Sequence, residues 1–292
     1  MQKYIIVTYL LFMVLSILKG FIYRMKKIGL GRQAEVFEDN NGLAIKIYNT
    51  SVPIENIEYE AEISKKIYDV YNRAPKFYNI WHQNGSYGLQ FELIKGEMLS
   101  IQMRRHLNCV RRYAREFGKL HREIHANSIK GLKSSIEKYE WGLRQYKKLD
   151  ESILYRLLEF VKNSHAELLC HGDLHPENIM IDENGYMRVI DWVDAYSGNP
   201  LSDVARTYYL LSKGTSPEKK PYYFKLIESI VKRVIAKEYL HSYFSNKVIP
   251  KREFDIWKLI IQICRYNEGI QEEKPFLERN ISIEIDRMGK NA

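Results

Sequence analysis

The chain has 292 residues, of which 45% are hydrophobic, so it can bury a core in one large domain or two lobes and is not a disordered protein. Its three cysteines are few, odd in number and widely spaced, which argues against a disulfide framework and favours a reducing compartment. The net charge of +9 raises the question of nucleic acid, but the basic residues are dispersed and no recognition motif accompanies them. We therefore expect no nucleic-acid partner.

Residues 1–24 form a hydrophobic N-terminal segment, with an almost unbroken apolar run from Tyr4 to Leu18. Fifteen helical residues span about 22 Å, short of the roughly 30 Å hydrocarbon core of a bilayer, although twenty would reach. Two interpretations stay open, a membrane anchor and a start extension upstream of Met25. Both predict a cytoplasmic location for the rest of the chain, and the anchor would tether it to the inner face of the membrane.

After Met25 the sequence predicts a strand, a glycine turn containing Gly29 and Gly31, and a second strand. Glycine lets a backbone approach phosphate oxygens closely and present N–H groups to them, although G-x-G also fits an ordinary hairpin bend. The next strand alternates, which places Lys46 on the face opposite Ile45 and Ile47. A lysine beside a glycine turn favours phosphate binding over a solvent-exposed edge residue.

Pro53 begins a predicted helix that runs to about Asn72 and carries three glutamates, Glu58, Glu60 and Glu62. One of them should pair with Lys46, and the other two should be solvated. Two strands around Asn84-Gly85 then predict a hairpin. From Met98 onward the periodicity is mainly helical.

His121 and His125 lie one turn apart on a predicted helix. Histidines at this spacing can bind a metal ion, but no partner ligand lies near them in the sequence. A packing role is the favoured interpretation.

Residues 168–194 read LLCHGDLHPENIMIDENGYMRVIDWVD and contain the main chemical signal. Asn184-Gly185, between two apolar runs, is typical of a two-residue type I′ hairpin loop. That loop would place Asn178 directly opposite Asp191, with Cβ atoms about 5 Å apart. An amide and a carboxylate at that distance suit a hard cation such as Mg²⁺.

Asp173 precedes this hairpin, on a loop that Pro176 keeps from becoming helix. An aspartate beside a cation-bound polyphosphate can accept a proton from a hydroxyl group and orient its oxygen for in-line attack. His171 would shape the loop through hydrogen bonds of its ring. The stretch therefore predicts phosphoryl transfer.

HGDLHPENIM followed by VIDWVDAYSGNPLSDVART resembles the aminoglycoside phosphotransferase and choline kinase-like group of small-molecule kinases. Protein kinases usually have Arg where this chain has Gly172, and Phe-Gly where it has Trp192-Val193. The resemblance implies an α+β, bilobal, protein kinase-like fold. A nucleotide-binding lobe with a small antiparallel sheet and one helix would span residues 25–95. A mainly helical catalytic and acceptor-binding lobe with a catalytic β-hairpin would span residues 96–292.

The resemblance also implies the role of each candidate residue, with ATP as nucleotide, GTP as the alternative, and Mg²⁺ as metal. Asp203, which with Ser202 fits a helix cap, would brace the catalytic loop. The remaining assignments are Asp173 as the catalytic residue, Asn178 and Asp191 as metal ligands, Gly29 and Gly31 over the phosphates, Lys46 and Glu60 positioning them, and the backbone near Glu92 and Leu93 at the adenine edge.

The predicted function is transfer of a γ-phosphoryl group to a hydroxyl of a small molecule, either an aminoglycoside-type antibiotic or a metabolite such as an amino alcohol or sugar. A strongly basic chain is unexpected for a polycationic acceptor unless acidity is local. Candidate acidic residues are Glu137, Glu140, Glu268, Glu272 and Glu273. The alternatives are a protein kinase, a nucleotide-binding pseudokinase module, against which the complete set of catalytic residues argues, and a membrane-tethered interaction protein.

Overall fold

The computed structural model describes residues 25–31, 33–83, 85–214, 222–245 and 247–290. The predicted hydrophobic segment, residues 1–24, lies outside the described residues, so its two interpretations stay predictions. No helix within the described ranges is long and apolar enough to cross a membrane. The chain divides into two compact units between Gly96 and Glu97, and the boundary predicted from sequence follows residue 95.

The first unit contains five antiparallel strands and one helix. They are β1 (Lys26–Leu30), β2 (Ala34–Glu38), β3 (Leu43–Tyr48), α1 (Ile54–Val70), β4 (Phe77–Gln83) and β5 (Ser86–Glu92). The strands form one sheet in the order β1-β2-β3-β5-β4. This confirms the small antiparallel sheet with one helix that the sequence predicted.

One face of α1 packs on this sheet. Ile57 and Ala61, four residues apart and therefore on the same side of the helix, join Ala34, Tyr48 and Leu89 of the sheet in one apolar cluster. Leu89 is completely buried, and burying a side chain of this size contributes about 1.5–3 kcal/mol. The packing fixes which helix residues face the strand that carries Lys46.

The second unit is mainly helical, as predicted, with short strands between its helices. Its elements are β6 (Gly96–Met98), α2 (Leu99–Arg105), a short 3₁₀ helix (Leu107–Cys109), α3 (Val110–Ile124), α4 (Ser135–Gln145), α5 (Glu151–Asn163), β7 (Leu168–Cys170), β8 (Ile179–Asp182), β9 (Met187–Val189), β10 (Tyr196–Gly198), α6 (Pro200–Lys213), α7 (Tyr222–Tyr243), α8 (Lys251–Asn267) and α9 (Lys274–Lys290). One sheet has the order β6-β8-β9, and β10 pairs with β7 in another.

Helices α3 and α7 lie close together because of a glycine at their contact. A Cβ atom on Gly118 would lie 2.5 Å from the carbonyl oxygen of Tyr239, so no larger residue fits without moving a helix. The residue before Gly118 is Phe117, and its ring packs against that of Tyr239 with centroids 5.1 Å apart. The close approach brings the tyrosines of α7 next to the histidines of α3.

The β8–β9 hairpin has a three-residue loop, not the predicted two-residue loop. Asp182 and Tyr186 close it, with the Asp182 N–H donating to the Tyr186 carbonyl at 2.9 Å. The Asp182 carboxylate also accepts hydrogen bonds from the backbone N–H groups of Asn184 and Tyr186, at 3.0 and 2.9 Å. Gly185 adopts a φ of 81°. This aspartate and the left-handed glycine stabilise a longer loop than the Asn-Gly pair alone indicates.

The longer loop shifts the register by one residue. Ile179 pairs with Val189, and the N–H of Ile190 donates to the carbonyl of Asn178 at 2.9 Å. The prediction that Asn178 lies directly opposite Asp191 was therefore wrong, because Asp191 follows the residue that Asn178 faces.

We expect Asp182→Ala to lower the free energy of unfolding by about 1–2 kcal/mol, because it removes the acceptor of two loop hydrogen bonds. Chemical denaturation measures the change. Glu183→Ala is the matched control, since Glu183 is the exposed neighbour in the same loop. Equal stability of the Asp182→Ala and Glu183→Ala proteins would contradict this account of the loop.

Candidate active site

In the first unit, Lys46 on β3 forms the predicted ion pair with Glu60 on α1. Lys46 Nζ lies 2.7 Å from Glu60 Oε1, and the two side chains are 20% and 5% exposed. A buried carboxylate thus holds an ammonium group that still reaches solvent. Glu58 and Glu62 are exposed, as predicted, and Glu62 pairs with Lys66 instead.

The glycine turn of the first unit has the strand-turn-strand form that the sequence predicted. Gly29 lies where the pairing of β1 with β2 shifts register, which marks a bulge. After the strand, the N–H of Gly31 donates to the carbonyl of Ala34 at 2.8 Å. The structure therefore places both candidate phosphate-covering glycines at an irregular part of the sheet edge.

The segment predicted to meet an adenine base, Glu92 and Leu93, lies at the end of β5. The N–H of Glu92 donates to the carbonyl of Lys76 at 2.8 Å. A ligand at this segment would therefore need other backbone groups, such as those of Leu93. The role of Glu92 and Leu93 stays a prediction.

In the second unit, hydrogen bonds connect Asp173, Asn178 and the residue before Asp191. Asn178 Nδ2 donates to the carbonyl of Asp173 at 2.9 Å, and the Asn178 carbonyl accepts the N–H of Ile190, the residue before Asp191. The amide nitrogen of Asn178 is therefore occupied, and its amide oxygen is the atom that can bind a cation. This oxygen and the Asp191 carboxylate form a hard donor set that fits Mg²⁺.

The ring of His171 links the catalytic loop to the end of the hairpin. Its Nε2 lies 3.0 Å from the carbonyl of Ile190, and its Nδ1 lies 3.3 Å from the N–H of Asp173. A carbonyl can only accept and an N–H can only donate, so the neutral ring is protonated at Nε2. Burial lowers the pKa of this fully buried ring, which favours the neutral form. The predicted shaping role of His171 is confirmed.

Asp191 has an unusual backbone conformation. Its φ is 60°, in the left-handed region that aspartate and asparagine tolerate better than most side chains. A residue held in that region costs about 1–3 kcal/mol, which the hydrogen bonds around the loop must offset.

Asp203 braces the catalytic loop, as the resemblance implied, from the first turns of α6. Its carboxylate is completely buried and accepts four hydrogen bonds, two of them from the backbone N–H groups of His171 and Gly172, at 2.6 and 2.9 Å. The predicted cap was wrong, because the helix begins at Pro200 and Asn199 caps it by accepting from the N–H of Leu201 at 2.8 Å. A proline is favoured at a first helical position, and here it starts the helix earlier than the apolar pattern indicates.

The other two bonds to Asp203 come from the paired histidines of α3. His121 Nε2 and His125 Nε2 lie 3.1 and 3.3 Å from Asp203 Oδ2. Their Nδ1 atoms lie 2.7 and 2.8 Å from the hydroxyl groups of Tyr239 and Tyr243. If Asp203 is ionised, it can only accept, so each neutral ring donates from Nε2 and accepts a tyrosine proton at Nδ1.

This arrangement assigns charges to the cluster. Burial alone would raise the pKa of Asp203, but the interactions with His121 and His125 hold it well below its usual range. Burial, assisted by the neighbouring His125, lowers the pKa of His121 to about 4. The ligand atoms of His121, His125 and Asp203 lie within 4.8 Å of one another, close enough for an ion. Each of them already has a hydrogen-bond partner, which agrees with the predicted packing role.

Arg206, which the sequence pattern did not single out, contacts the candidate catalytic residue. Its Nη2 donates to Asp173 Oδ1 at 2.9 Å, while its Nη1 donates to Glu268. Burial would raise the pKa of Asp173, but the ring of His175, 3.6 Å away, and the charge of Arg206 hold it well below its usual range. The available signal was spacing, since Arg206 follows Asp203 by three residues and shares its helix face.

Arginines neutralise most of the predicted acidic acceptor residues. Glu273 is buried, and its carboxylate oxygens lie 2.7 and 3.0 Å from Arg265 nitrogens. Glu268 contacts both Arg206 and Arg265. On α4, Glu140 accepts from Arg144 at 2.8 Å. These carboxylates therefore do not form an unpaired acidic surface.

A family model described as the phosphotransferase enzyme family matches residues 25–226. Among solved structures, an aminoglycoside phosphotransferase from Streptomyces rimosus is 14% identical, with a TM-score of 0.56 over 88% of this chain and 98% of that one. The choline kinase LicA from Streptococcus pneumoniae is 16% identical, with a TM-score of 0.53 over 90% and 93%. An ethanolamine kinase from Plasmodium vivax is 17% identical, with a TM-score of 0.53 over 82% and 73%. No curated protein sequence matches.

These structures share the protein kinase-like fold, and identities this low establish the fold alone. The predicted fold class is confirmed.

We expect the free energy of unfolding to fall as the pH is lowered from 6.5 to about 4. In this range an unfolded chain protonates His121 near its ordinary pKa of about 6.5, whereas the folded protein does not until about 4. The unfolded state then binds more protons, so stability decreases on acidification, by up to about 3 kcal/mol for this group. Denaturation at several pH values measures the slope.

His121→Gln keeps a donor for Asp203 but cannot titrate, so it should flatten that slope. His82→Gln, at an exposed histidine of β4, is the matched control. An unchanged slope in the His121→Gln protein would contradict the assignment.

Asp191→Asn should be about as stable as the wild-type protein, because asparagine also tolerates a positive φ. Asp191→Val should be less stable than Asp191→Asn by about 1–2 kcal/mol, because a side chain branched at Cβ is strongly disfavoured at positive φ. Thermal unfolding of the two variants compares them directly. Equal melting temperatures would mean that the backbone at Asp191 is unstrained.

Proposed function

The chain belongs to the phosphotransferase enzyme family, and from that premise we propose that it transfers the γ-phosphoryl group of ATP, or alternatively GTP, to a hydroxyl group of a small molecule. The observation that carries the proposal is the hydrogen-bonded loop in which Asn178 contacts Asp173 and joins the residue before Asp191. This loop holds a candidate base and a candidate metal pair together. Two structures with the same fold are described as AMP and GDP complexes, which supports a nucleotide ligand.

Asp173 orients the attacking hydroxyl in this proposal. Its low pKa keeps it ionised, so it can always accept a hydrogen bond. A weakly basic carboxylate is poorly suited to removing the proton before transfer. Because phosphoryl transfer passes through a loose transition state, orientation of the nucleophile matters more than its early deprotonation.

Asn178 and Asp191 would hold Mg²⁺, which neutralises phosphate charge when bound. The left-handed backbone at Asp191 belongs to the class of strained conformations that recur at functional sites. A metal ligand there would explain why the strain is retained. Metal binding by these two residues is a proposal.

The first unit would bind the nucleotide. Lys46, held by Glu60, supplies a fixed positive charge for the phosphates. Gly29 and Gly31 offer a backbone that can approach them closely. The segment at the end of β5, Glu92 and Leu93, would meet the base.

For the acceptor we favour a metabolite with at most one positive charge, such as an amino alcohol or a sugar, over an aminoglycoside. A polycation needs unpaired carboxylates, whereas Glu268 and Glu273 are paired with arginines. A pocket beside the catalytic loop is lined by two basic residues, Lys138 and Arg206, and by two acidic residues, Asp194 and Glu268. This charge balance supports a neutral or weakly charged acceptor.

Gly172 supports a small-molecule kinase over the protein-kinase alternative. Its φ is 83°, and a Cβ atom there would lie 2.2 Å from the Asp194 carbonyl oxygen and 2.7 Å from Lys138 Nζ. The position therefore has no room for the arginine that protein kinases usually carry before the catalytic aspartate. Only glycine fits at position 172 without a shift of the surrounding atoms.

We expect the full-length protein with Mg²⁺ to consume nucleotide in response to one acceptor in a panel of amino alcohols, sugars, nucleosides and aminoglycosides. Asp173→Asn should reduce the acceptor-dependent rate at least about 100-fold, because it removes the group that orients the hydroxyl. A coupled assay for nucleoside diphosphate release measures the rate.

Asp150→Asn is the matched control for this assay, since Asp150 is an exposed aspartate of the same unit. If nucleotide bound but no acceptor was phosphorylated, and Asp173→Asn behaved like wild type, the catalytic proposal would be wrong. A response to aminoglycosides alone would overturn the preference for a metabolite.

A further inference from the structure

Arg206 connects the candidate catalytic aspartate to a second carboxylate. Nη2 reaches Asp173 Oδ1 at 2.9 Å, and Nη1 reaches Glu268 Oε1 at 2.5 Å. The arginine side chain is 13% exposed, compared with 29% for Asp173 and 35% for Glu268. The guanidinium is thus the most buried member of the three, and two carboxylates on different parts of the second unit fix its position.

The ion pairs continue beyond Glu268 and return to the helix of Arg206. Arg265 on α8 contacts Glu268 and, at 2.7 Å, Glu273. Glu273 accepts a hydrogen bond from Tyr209 at 2.9 Å. Tyr209 lies three residues after Arg206 on α6, so the network begins and ends on one turn of the same helix. Its alternating charges leave little freedom for Arg206 to move.

One nitrogen of the Arg206 guanidinium makes no hydrogen bond within the described part of the chain. Its Nε is buried and lacks a hydrogen-bond partner among the residues that the structure describes. An unsatisfied buried donor is unfavourable and calls for an explanation. The bridging geometry offers an explanation, because the terminal nitrogens contact Asp173 and Glu268 and leave Nε without an acceptor in the described ranges.

We propose that Arg206 is a positioning residue for the transfer reaction: it holds Oδ1 of Asp173, so that Oδ2, which lies 3.6 Å from His175 Nε2, can accept a hydrogen bond from the acceptor hydroxyl. Glu268 in turn holds Arg206. The inference rests on the proposed function, because the orientation of Asp173 matters only if Asp173 meets an acceptor. A carboxylate fixed at one oxygen needs no reorientation when the acceptor binds.

The role depends on the shape of the side chain and not on its charge alone. A guanidinium presents two terminal nitrogens in a planar fork, whereas a lysine ammonium is a single point charge. Lysine at this position could contact Asp173 or Glu268 but could not hold both in the same way. The conservative substitution therefore separates positioning from simple charge compensation.

The test compares Arg206→Ala and Arg206→Lys with wild type in acceptor-dependent transfer, with kcat and the acceptor KM measured separately. We expect kcat to fall about 100-fold in Arg206→Ala, because a misplaced reacting group has an effect of that size. The acceptor KM should change less than threefold. Arg206→Lys should recover only part of kcat.

Guanidinium at low millimolar concentration provides a further readout, because it can occupy the space left by Arg206→Ala. It should raise kcat of Arg206→Ala and leave the acceptor KM unchanged. Arg115→Ala is the matched control, since Arg115 also pairs with a glutamate on another helix, Glu238, at 2.7 Å. Neither that substitution nor guanidinium should change kcat in the control.

Glu268→Gln keeps the size of the side chain and tests the network even if the Arg206→Ala protein does not fold. It should lower kcat by a smaller factor than Arg206→Ala, since Arg206 loses one anchor and keeps Asp173. Wild-type kcat in Glu268→Gln together with full activity in Arg206→Lys would overturn the inference. So would a raised acceptor KM at unchanged kcat in Arg206→Ala.

Failure of the proposed function would be visible in a different arm of the experiment. If the wild-type protein transfers no phosphoryl group to any acceptor, the proposed function fails and the role of Arg206 fails with it. If wild type is active and Arg206→Ala retains its kcat, only the inference about Arg206 is overturned.

Discussion

The candidate active site depends most on the buried carboxylate of Asp203. It accepts two backbone N–H groups at the start of the catalytic loop and two imidazole N–H groups from α3. A buried charge is tolerable only when such donors surround it. Because Tyr239 and Tyr243 hold the histidines in turn, packing between α3 and α7 helps to set the position of Asp173, which follows His171 by two residues. Helix packing and catalytic geometry are thus parts of one hydrogen-bonded system.

A second feature of the candidate site is that several of its carboxylates are paired with arginines. Arg206 neutralises Asp173 on one side, and the same arginine and its neighbour Arg265 neutralise the carboxylates that could have attracted a cationic acceptor. The candidate catalytic carboxylate therefore stays ionised, and the carboxylates of Glu268 and Glu273 are paired with arginines. This combination favours recognition of the acceptor by shape and hydrogen bonds over recognition by long-range attraction. A weakly charged acceptor would also agree with the basic composition of the chain, which is unexpected for a kinase that binds a polycation.

Local periodicity predicted the strands and the helix of the first unit, and the resemblance carried by a motif of fixed spacing implied the fold class and the choice of Glu60 as the partner of Lys46. The sequence predicted the hairpin but not its register, since the Asp182 side chain closes a loop longer than Asn-Gly alone indicates. It could not reveal that Asp203 completes the histidine pair, because these residues are 78 positions apart or more. Arg206 was missed for the same reason, since its partner Glu268 is 62 positions away.

The central claim is that this loop transfers a phosphoryl group to a small molecule. The most direct measurement follows label from γ-³²P-ATP, incubated with the full-length protein and an extract separated into low-molecular-weight and polypeptide fractions. We expect a labelled phosphate ester in the low-molecular-weight fraction, distinct from inorganic phosphate, and none with Asp173→Asn. Label that appears only on polypeptides would contradict it and favour a protein kinase. Label found only in unreacted ATP would contradict the assignment of any transfer activity.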